Sequence, residues 1–484
     1  MKAFAPAGLW RHVPFMKLWS AQTVSQLGTQ VSLLAIPLIG AALLRLDPFA
    51  FALLGTAEFL PFLLFALPAG VVADRLPRRG MLIFADLGRA AVLATIPLAY
   101  VLGLLGVMQL YVVAFAAGTL TVLFEVAYLS YLPELVGRKD ILEGNAKLEI
   151  TRSASQIAGP GLAGPLIGII SAPIAILADS ASFVVSAGFV LAIPKTKSVT
   201  PPAQAAASVG IRREIAEGLR FVLRHPLLRA LAACTGISNL FSNLAFAIFV
   251  LYLVRELGLS AETIGFVLAL GNIGLLAGAF AGRPLGAKFG VGWTIIVSAA
   301  FFGPSLVLLA LAPAFPSLSV TLITAGLFIG LFAQVSYNIN QVSLRQAVTP
   351  DAMLGRMNAT MRFIVWGTIP IGELSGGILA SVFGLVPAIA VGAVGGMFGF
   401  VPLLLSPMRS VREIPSSPDA MPGDAARNTM DATTELASGE SMAIRQQRGE
   451  RNLPQSSATS MSGRPSARSS DVHRFGIPFK HDRA

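Results

Sequence analysis

Long apolar runs separated by short polar turns fill the chain from about residue 10 to residue 405. A helix needs about 20 residues to cross the hydrocarbon of a bilayer, so each run predicts one spanning helix. The 56 residues from Phe289 to Leu344 carry no charge, which is about 84 Å of helix and requires one reversal, near Pro313 and Pro316. The pattern predicts twelve spans. The first five lie at about residues 19–44, 51–72, 80–102, 109–131 and 150–170, and the sixth ends near residue 193. The last two lie at about residues 358–382 and 386–405.

The segment at residues 195–229 interrupts this pattern with seven Lys or Arg residues. Within it Ile211, Ile215, Leu219 and Val222 recur at helical spacing, which predicts an amphipathic helix on the membrane surface. Beyond residue 415 the chain is rich in Ser, Pro, Arg and Gln, a composition typical of disorder. We therefore predict a six-helix half at 1–194, a cytoplasmic linker at 195–229, a second six-helix half at 230–406 and a disordered cytoplasmic tail at 407–484.

The two predicted halves are related in sequence. The segment at 136–146 recurs at 348–359, and Arg75 and Lys288 lie 213 residues apart in corresponding turns. Duplicated halves of a membrane protein place a binding site at their interface near the bilayer midplane. Rocking of one half against the other is the motion that such a duplication predicts.

Composition assigns the chain to the polytopic membrane proteins. It is 54% hydrophobic and 13% charged, with a mean hydropathy of +0.72, whereas soluble domains carry about 25% charged residues. The formal charge of +11 comes from basic residues in short loops and a tail, so we expect no nucleic-acid partner. The basic loops predict that both termini are cytoplasmic. The chain has one cysteine and no nucleophile–base set or phosphate loop, so we expect neither an enzyme nor a metal or cofactor site.

A short charged turn at residues 70–79 joins the second and third spans. Gly70 allows close helix approach, and Asp74 offers a carboxylate to an arginine or to a helix N-terminus. Asp86 and Arg89 are three residues apart on the next span, so they can form an ion pair. The residues predicted to form a conformational latch are Gly70, Asp74, Arg75, Arg78, Arg79, Asp86, Arg89 and Arg152. The alternative is a turn whose arginines only orient the protein in the membrane.

Four acids lie within predicted spans, where a charge is costly and needs a reason. No histidine lies in a span, so a transported proton would be carried by an acid. Candidates for proton or substrate coupling are Glu58, Glu125, Asp179 and Glu373. The alternative for each is a structural acid: Asp179 lies near a predicted span end, which favours fixing a loop, and Glu373 precedes a Gly-Gly pair, which favours a helix contact. Candidates for the substrate cavity are Asn239, Phe241, Asn243, Gln334, Asn338 and Asn340, although core packing explains these residues equally well.

The turn at 70–79 resembles the signature loop of the major facilitator superfamily, Gly-x-x-x-Asp-Arg-x-Gly-Arg-Arg, with Pro77 in place of a glycine. Further segments resemble the enterobactin-exporter and macrolide-efflux branch: 22–25, 60–64, 85–89, 132–136, 144–145, 157–161 and 179–183. The resemblance implies an all-α protein with twelve transmembrane helices in two pseudo-symmetric six-helix halves. It also implies a bacterial inner-membrane exporter driven by the proton gradient.

Together these observations predict a secondary active transporter that exports a hydrophobic or amphiphilic small molecule, drug-like or siderophore-like, in exchange for protons by alternating access. We expect it to work as a monomer in the lipid bilayer. Two alternatives stay open at this point. One is a membrane sensor or scaffold with the transporter fold, and the other is a facilitator that is not coupled to an ion.

Overall fold

The computed structural model describes residues 8–194 and 211–415, which belong to one compact unit. Within these ranges the regular structure is helical and contains no strand. Eleven helical stretches there are long and apolar enough to cross a membrane, judged by length and composition. Residues 195–210 of the predicted linker and residues 416–484 of the predicted tail lie outside the described residues. The predicted disorder is wrong for residues 407–412: Pro407–Ser410 forms a helical turn with Met408 buried, and the carbonyls of Val411 and Arg412 accept hydrogen bonds from the N–H groups of Gly292 and Val291.

The first lobe contains five long helices. They are α1 (Val13–Leu38), α2 (Pro48–Arg75), α3 (Arg78–Val101), α4 (Val107–Ile170) and α5 (Ala172–Leu191). The fourth and fifth spans both lie within the range of α4, which is two helices joined at a kink. Only Gly137 departs from helical geometry, with φ 76° and ψ 163°. Residues 138–170 form the twelfth span, which falls outside the eleven because glycines, prolines and charged residues lower its hydropathy.

The second lobe follows an amphipathic helix, α6 (Ile211–Arg224). Its helices are α7 (Pro226–Phe246), α8 (Phe249–Arg255), α9 (Ala261–Phe289), α10 (Val291–Ala300), α11 (Phe302–Leu311), α12 (Ser319–Ala347), α13 (Asp351–Phe383), α14 (Leu385–Met397) and α15 (Val401–Leu404). Short interruptions split single spans: α7 with α8, and α10 with α11, each make one crossing. Helix α6 packs against α13 and α7.

Equivalent turns of the two lobes have similar backbone conformations and lie at the spacing of the sequence repeat. Arg45 (φ 50°) and Gly258 (φ 62°) turn the chain after the first span of each lobe, and they are 213 residues apart. Ser171 (φ 77°) and Gly384 (φ 93°) do so between the fifth and sixth spans, at the same spacing. The two lobes therefore reverse direction with the same backbone conformation at equivalent positions.

The apolar core shows where the lobes meet. We call the end of the bundle that holds Ser171 and Gly384 the opposite end, and the end that holds Arg78 and the Gly290 turn the basic end. One buried cluster contains residues of both lobes, such as Ile176 and Tyr252, and includes the turns of the opposite end. Toward the basic end each lobe has its own cluster. The lobes are therefore packed together at the opposite end and have separate cores toward the basic end.

Candidate functional site

Two pairs of helices make most of the contact between the lobes, α4 with α9 and α2 with α13, and a smaller contact joins α1 to α8. In the α4–α9 seam the backbones nearly touch, because a Cβ placed on Gly265 would lie 2.9 Å from the Cα of Gly164. The side-chain amide of Asn272 donates a hydrogen bond to the carbonyl of Gln156 across the same seam. Glycine is required here because any side chain would separate the two helices.

The α2–α13 seam contains two carboxylic acids. Glu373 of α13 is 7% exposed, and a Cβ on Gly55 of α2 would lie 3.1 Å from its Oε1. Thr56 and Glu58 are the polar neighbours of this carboxyl group. The Oε2 atom of Glu373 is buried and has no hydrogen-bond partner in the described structure. This seam therefore encloses an acid pair contributed by both lobes.

The polar contacts described at the basic end stay within single lobes. Arg78 forms an ion pair with Glu134 at 3.2 Å, and Arg79 donates to the carbonyls of Val190 and Leu191. These two arginines of the predicted latch therefore tie the start of α3 to α4 and α5. The side chains of Gly70, Asp74 and Arg75 lie outside the described residues.

Exposed polar side chains interrupt the apolar helices in the half of the bundle nearer the basic end. They are Glu125 and Arg152 of the first lobe, and Gln334, Asn338 and Arg362 of the second lobe. Such residues in spanning helices face a water-filled cavity or the bundle interior, since exposure to lipid is costly. Glu125 interacts electrostatically with Arg152, Arg362 and Arg89. The acid therefore interacts with arginines of both lobes.

Asp86 and Arg89 form a buried ion pair inside the first lobe. The guanidinium of Arg89 lies 2.5 Å from Asp86 Oδ1, and Ser186 donates to Asp86 Oδ2 at 2.7 Å. The guanidinium also lies over the rings of Phe183 and Phe124, at 4.0 Å and 4.5 Å from their centroids. These contacts join α3, α4 and α5, and Arg89 carries the electrostatic link from this pair to Glu125.

Asp179 lies in the middle of α5 and is 1% exposed. Its carboxylate accepts a hydrogen bond from Ser182 and packs against Gly28 of α1, where a Cβ would lie 2.8 Å from Oδ1. The expectation that Asp179 fixes a loop is wrong, because the helix begins at Ala172 and extends well past it. The residue instead packs two helices of the first lobe together.

The cavity candidates fall into different environments. Gln334 and Asn338 are exposed on one face of α12. Asn340 is 5% exposed and donates to the carbonyls of Gly282 and Ser336, which supports the packing interpretation.

Two of the α7 candidates also make local contacts. Phe241 lines an apolar groove of about 430 Å³ between α7 and α14, away from the exposed polar face. Asn243 donates to the carbonyl of Asn239 within α7. Sequence reasoning missed Thr56 and Gly55 as neighbours of Glu373, since no local pattern indicates which helix lies opposite.

Comparison with known proteins shows which class of protein the chain belongs to. A family profile described as "Transmembrane secretion effector" matches residues 1–435. An MFS-type transporter of Bacillus subtilis is 28% identical over 405 residues, which cover 80% of this chain and 92% of that protein. The multidrug efflux pump Tap of Mycolicibacterium fortuitum is 25% identical (77% and 90% covered), and the enterobactin exporter EntS of Citrobacter koseri is 26% identical (76% and 86% covered).

The fold matches solved transporters. A bacterial homologue of the iron transporter ferroportin in an inward-facing state superposes with a TM-score of 0.68 at 15% identity, covering 81% of this chain and 98% of that chain. The nucleoside transporter NupG superposes with a TM-score of 0.66 at 11% identity, covering 81% and 99%. At these identities the likeness concerns the fold alone. With the family match over most of its length, the chain belongs to the transmembrane secretion effector family of major facilitator superfamily transporters, and it is not an enzyme.

Proposed function

We propose that this transporter exports a hydrophobic or amphiphilic small molecule in exchange for protons, by alternating access between the two lobes. The observation that carries the proposal is Glu125, an exposed acid on a spanning helix that interacts with Arg152 of its own lobe and Arg362 of the other. An acid in this position can accept a proton, and its charge affects both lobes at once.

Coupling follows from the two forms of Glu125. The carboxylate attracts Arg152 and Arg362, and the neutral acid does not. Proton binding therefore weakens an attraction between the lobes at the edge of the cavity. Arg89 interacts with both Glu125 and the buried Asp86. Loss of the Glu125 charge therefore also alters the electrostatics inside the first lobe.

Three observations support the direction of transport and the kind of cargo. The basic end, where the lobes have separate cores, faces the cytoplasm under the positive-inside rule, so the cavity receives cargo from inside. The relatives named as a multidrug efflux pump and an enterobactin exporter favour export over uptake. The few polar groups on otherwise apolar helices suit an amphiphilic molecule.

The test is transport in proteoliposomes that hold the purified chain in one orientation. A panel of cationic, neutral and anionic amphiphilic dyes is offered while a pH gradient is imposed across the membrane. We expect one class of dye to move against its gradient while protons move the other way. Dye movement without proton movement would indicate an uncoupled facilitator, and no movement of any dye or proton would favour a sensor or scaffold.

Glu125→Gln is the variant that tests the assigned residue. The amide keeps the shape of the acid but cannot exchange a proton, so we expect proton-driven flux to be lost while the protein remains in the membrane. Glu256→Gln is the matched control, because Glu256 is an exposed acid at the opposite end of the molecule. Undiminished proton-driven transport by Glu125→Gln would remove Glu125 from the mechanism.

A further inference from the structure

The two seams that hold the lobes together differ in one chemical respect. The α4–α9 seam is built from glycines and one amide contact, whereas the α2–α13 seam encloses Glu58 and Glu373. At the repeat spacing of 213 residues, the positions equivalent to these two acids are Gly271 and Pro160. A seam of this geometry therefore closes without carboxyl groups, and packing alone does not explain the acids.

The two acids interact electrostatically without a compensating cation among the described residues. Glu58 is the charged group that acts on Glu373, and no lysine, arginine or histidine forms an ion pair with either acid within the described residues. Glu373 is more than nine-tenths buried, and its Oε2 atom has no partner among the described residues. Glu58 is only partly buried.

No cation of the helices packed around the acids is among the groups that act on either carboxyl within the described residues. Helix α4 contacts the Glu58 backbone through Gly118, and α7 packs on the neighbouring glycines of α13 through Leu240 and Asn243. The charged groups further along the seam are engaged elsewhere: Asp47 accepts from the first backbone amides of α2, and Arg255 donates to the carbonyl of Leu46.

Two carboxylates that interact without a cation repel each other, and burial of Glu373 in an apolar contact adds to the cost of its charged form. The seam as it stands therefore requires at least one proton on the pair. A protonated carboxyl can donate to its neighbour, which removes the repulsion and occupies one of the otherwise unpartnered oxygens.

We propose that Glu58 and Glu373 form a proton-binding site shared by the two lobes, and that the proton bound there allows the α2–α13 seam to close. This inference rests on the proposed exchange of cargo for protons and names the step that a proton controls. A proton arriving from outside binds the open pair, and the seam closes at the opposite end. When the proton leaves through the partly exposed Glu58 toward the cavity, two negative charges separate the helices. The lobes then open outward and present the cargo.

The experiment measures the seam directly, without cargo. Spin labels are placed at Leu104→Cys and Phe315→Cys, which are exposed at the opposite end in the first and second lobe, in a Cys234→Ser background. The distance distribution is recorded in lipid nanodiscs from about pH 5 to about pH 9. If one proton is released on opening, the ratio of long to short distances rises about tenfold for each pH unit in the titrating range.

The double variant Glu58→Gln/Glu373→Gln should keep the short distance at every pH, since an amide pair stays neutral. Glu262→Gln is the matched control: this exposed acid lies in the other seam, beside Gly168, and its substitution should leave the pH response intact. A wild-type distance that does not change with pH, or a double variant that responds as the wild type does, overturns the proposal. A response to sodium at constant pH, with none to protons, overturns it in favour of a sodium site.

A second measurement covers variants that fold poorly. The infrared absorption of protonated carboxylic acids should be present in the wild type at acidic pH and should decrease in each single variant, Glu58→Gln and Glu373→Gln. Its absence from the wild type would also overturn the proposal. These readouts need no transport, so a pH-dependent seam in a protein that exchanges nothing would refute the proposed function alone.

Discussion

At the scale of single residues, Arg89 is a buried cation held by one ion pair and two aromatic rings. It is 7% exposed, it pairs with the fully buried Asp86, and two aromatic rings cover it. A buried charge whose partner is removed is strongly destabilising, whereas removing both partners restores neutrality.

Arg89→Gln is therefore expected to destabilise the protein by about 3–5 kcal/mol, because it leaves Asp86 buried and unpaired. Asp86→Asn/Arg89→Gln should recover most of that loss. The apparent melting temperature in detergent measures both. The control is Arg78→Gln, which breaks the partly exposed pair with Glu134 and should cost at most about 1 kcal/mol. Equal losses for Arg89→Gln and Arg78→Gln would contradict this account.

Glu143 is a partly exposed acid that holds the start of the described chain. It accepts hydrogen bonds from Lys147 Nζ at 2.6 Å and from the backbone N–H of Leu9 at 3.1 Å, and Trp10 lies over Lys147 at 4.2 Å. The Lys147 hydrogen bond first, and then the Leu9 amide, lower the pKa of Glu143 below its usual value. An acid with a lowered folded-state pKa stabilises the structure above its unfolded pKa, and that contribution is lost as pH falls through the folded value.

We expect the amides at residues 9–11 to exchange hydrogen faster below about pH 4, relative to the rest of the chain. In Glu143→Gln the same amides should exchange quickly at all pH values, without a step. Glu149→Gln, at an exposed acid on the same helix, should retain the step. Hydrogen exchange read by mass spectrometry gives the result, and an unchanged step in Glu143→Gln would refute the assignment.

At the scale of elements, the turn between α4 and α5 uses a backbone conformation that favours glycine. Ser171 has φ 77° and ψ 153°, and its side chain makes no capping hydrogen bond. The equivalent turn between α13 and α14 has Gly384, with φ 93° and ψ 168°. A side chain in this conformation costs about 1–3 kcal/mol.

Ser171→Gly should consequently raise stability by about 1 kcal/mol, part of the gain being offset by the greater freedom of glycine in the unfolded chain. The reciprocal change, Gly384→Ala, should lower stability. A Cβ there would meet only Pro387 Cδ at 3.8 Å, so any loss comes from the backbone and not from a clash. Thermal unfolding in detergent compares the two variants, and the changes in stability must have opposite signs.

The elements themselves were largely predictable. Apolar runs locate the spans because a backbone in lipid must satisfy its hydrogen bonds within a helix. The join between the fourth and fifth spans is less predictable: the polar residues at 132–152 indicate a boundary, but not that a single residue, Gly137, makes the kink between the two helices. Glycine suits this position because a φ of 76° lies in the left-handed region that other residues rarely adopt.

At the scale of the whole molecule, the lobes touch at the opposite end and have separate cores at the basic end. A transporter that alternates must break the opposite-end contacts to release cargo there. A covalent link across the α4–α9 seam should therefore stop the cycle.

Gly161 and Ala269 are suited to this test. A Cβ on Gly161 would lie 3.3 Å from the Cβ of Ala269, close to the separation in a disulfide. In a Cys234→Ser background, Gly161→Cys/Ala269→Cys should crosslink under oxidation, lose transport and recover it on reduction. Each single cysteine variant should transport equally under both conditions. Full transport by the crosslinked protein would exclude opening of this seam.

The amino-acid pattern by itself determined the class of protein, the number of crossings to within one, the duplication of the halves and the acids that lie in the membrane. These properties depend on local burial and on repeat spacing. Tertiary structure alone decided the pairings: Glu58 and Glu373 are 315 residues apart and become neighbours only because α2 and α13 pack across the lobes. It likewise decided that Asp179 packs against α1 and that Arg362 acts on Glu125. Periodicity indicates which face of a helix is polar, but the neighbour of that face depends on how the two lobes pack together.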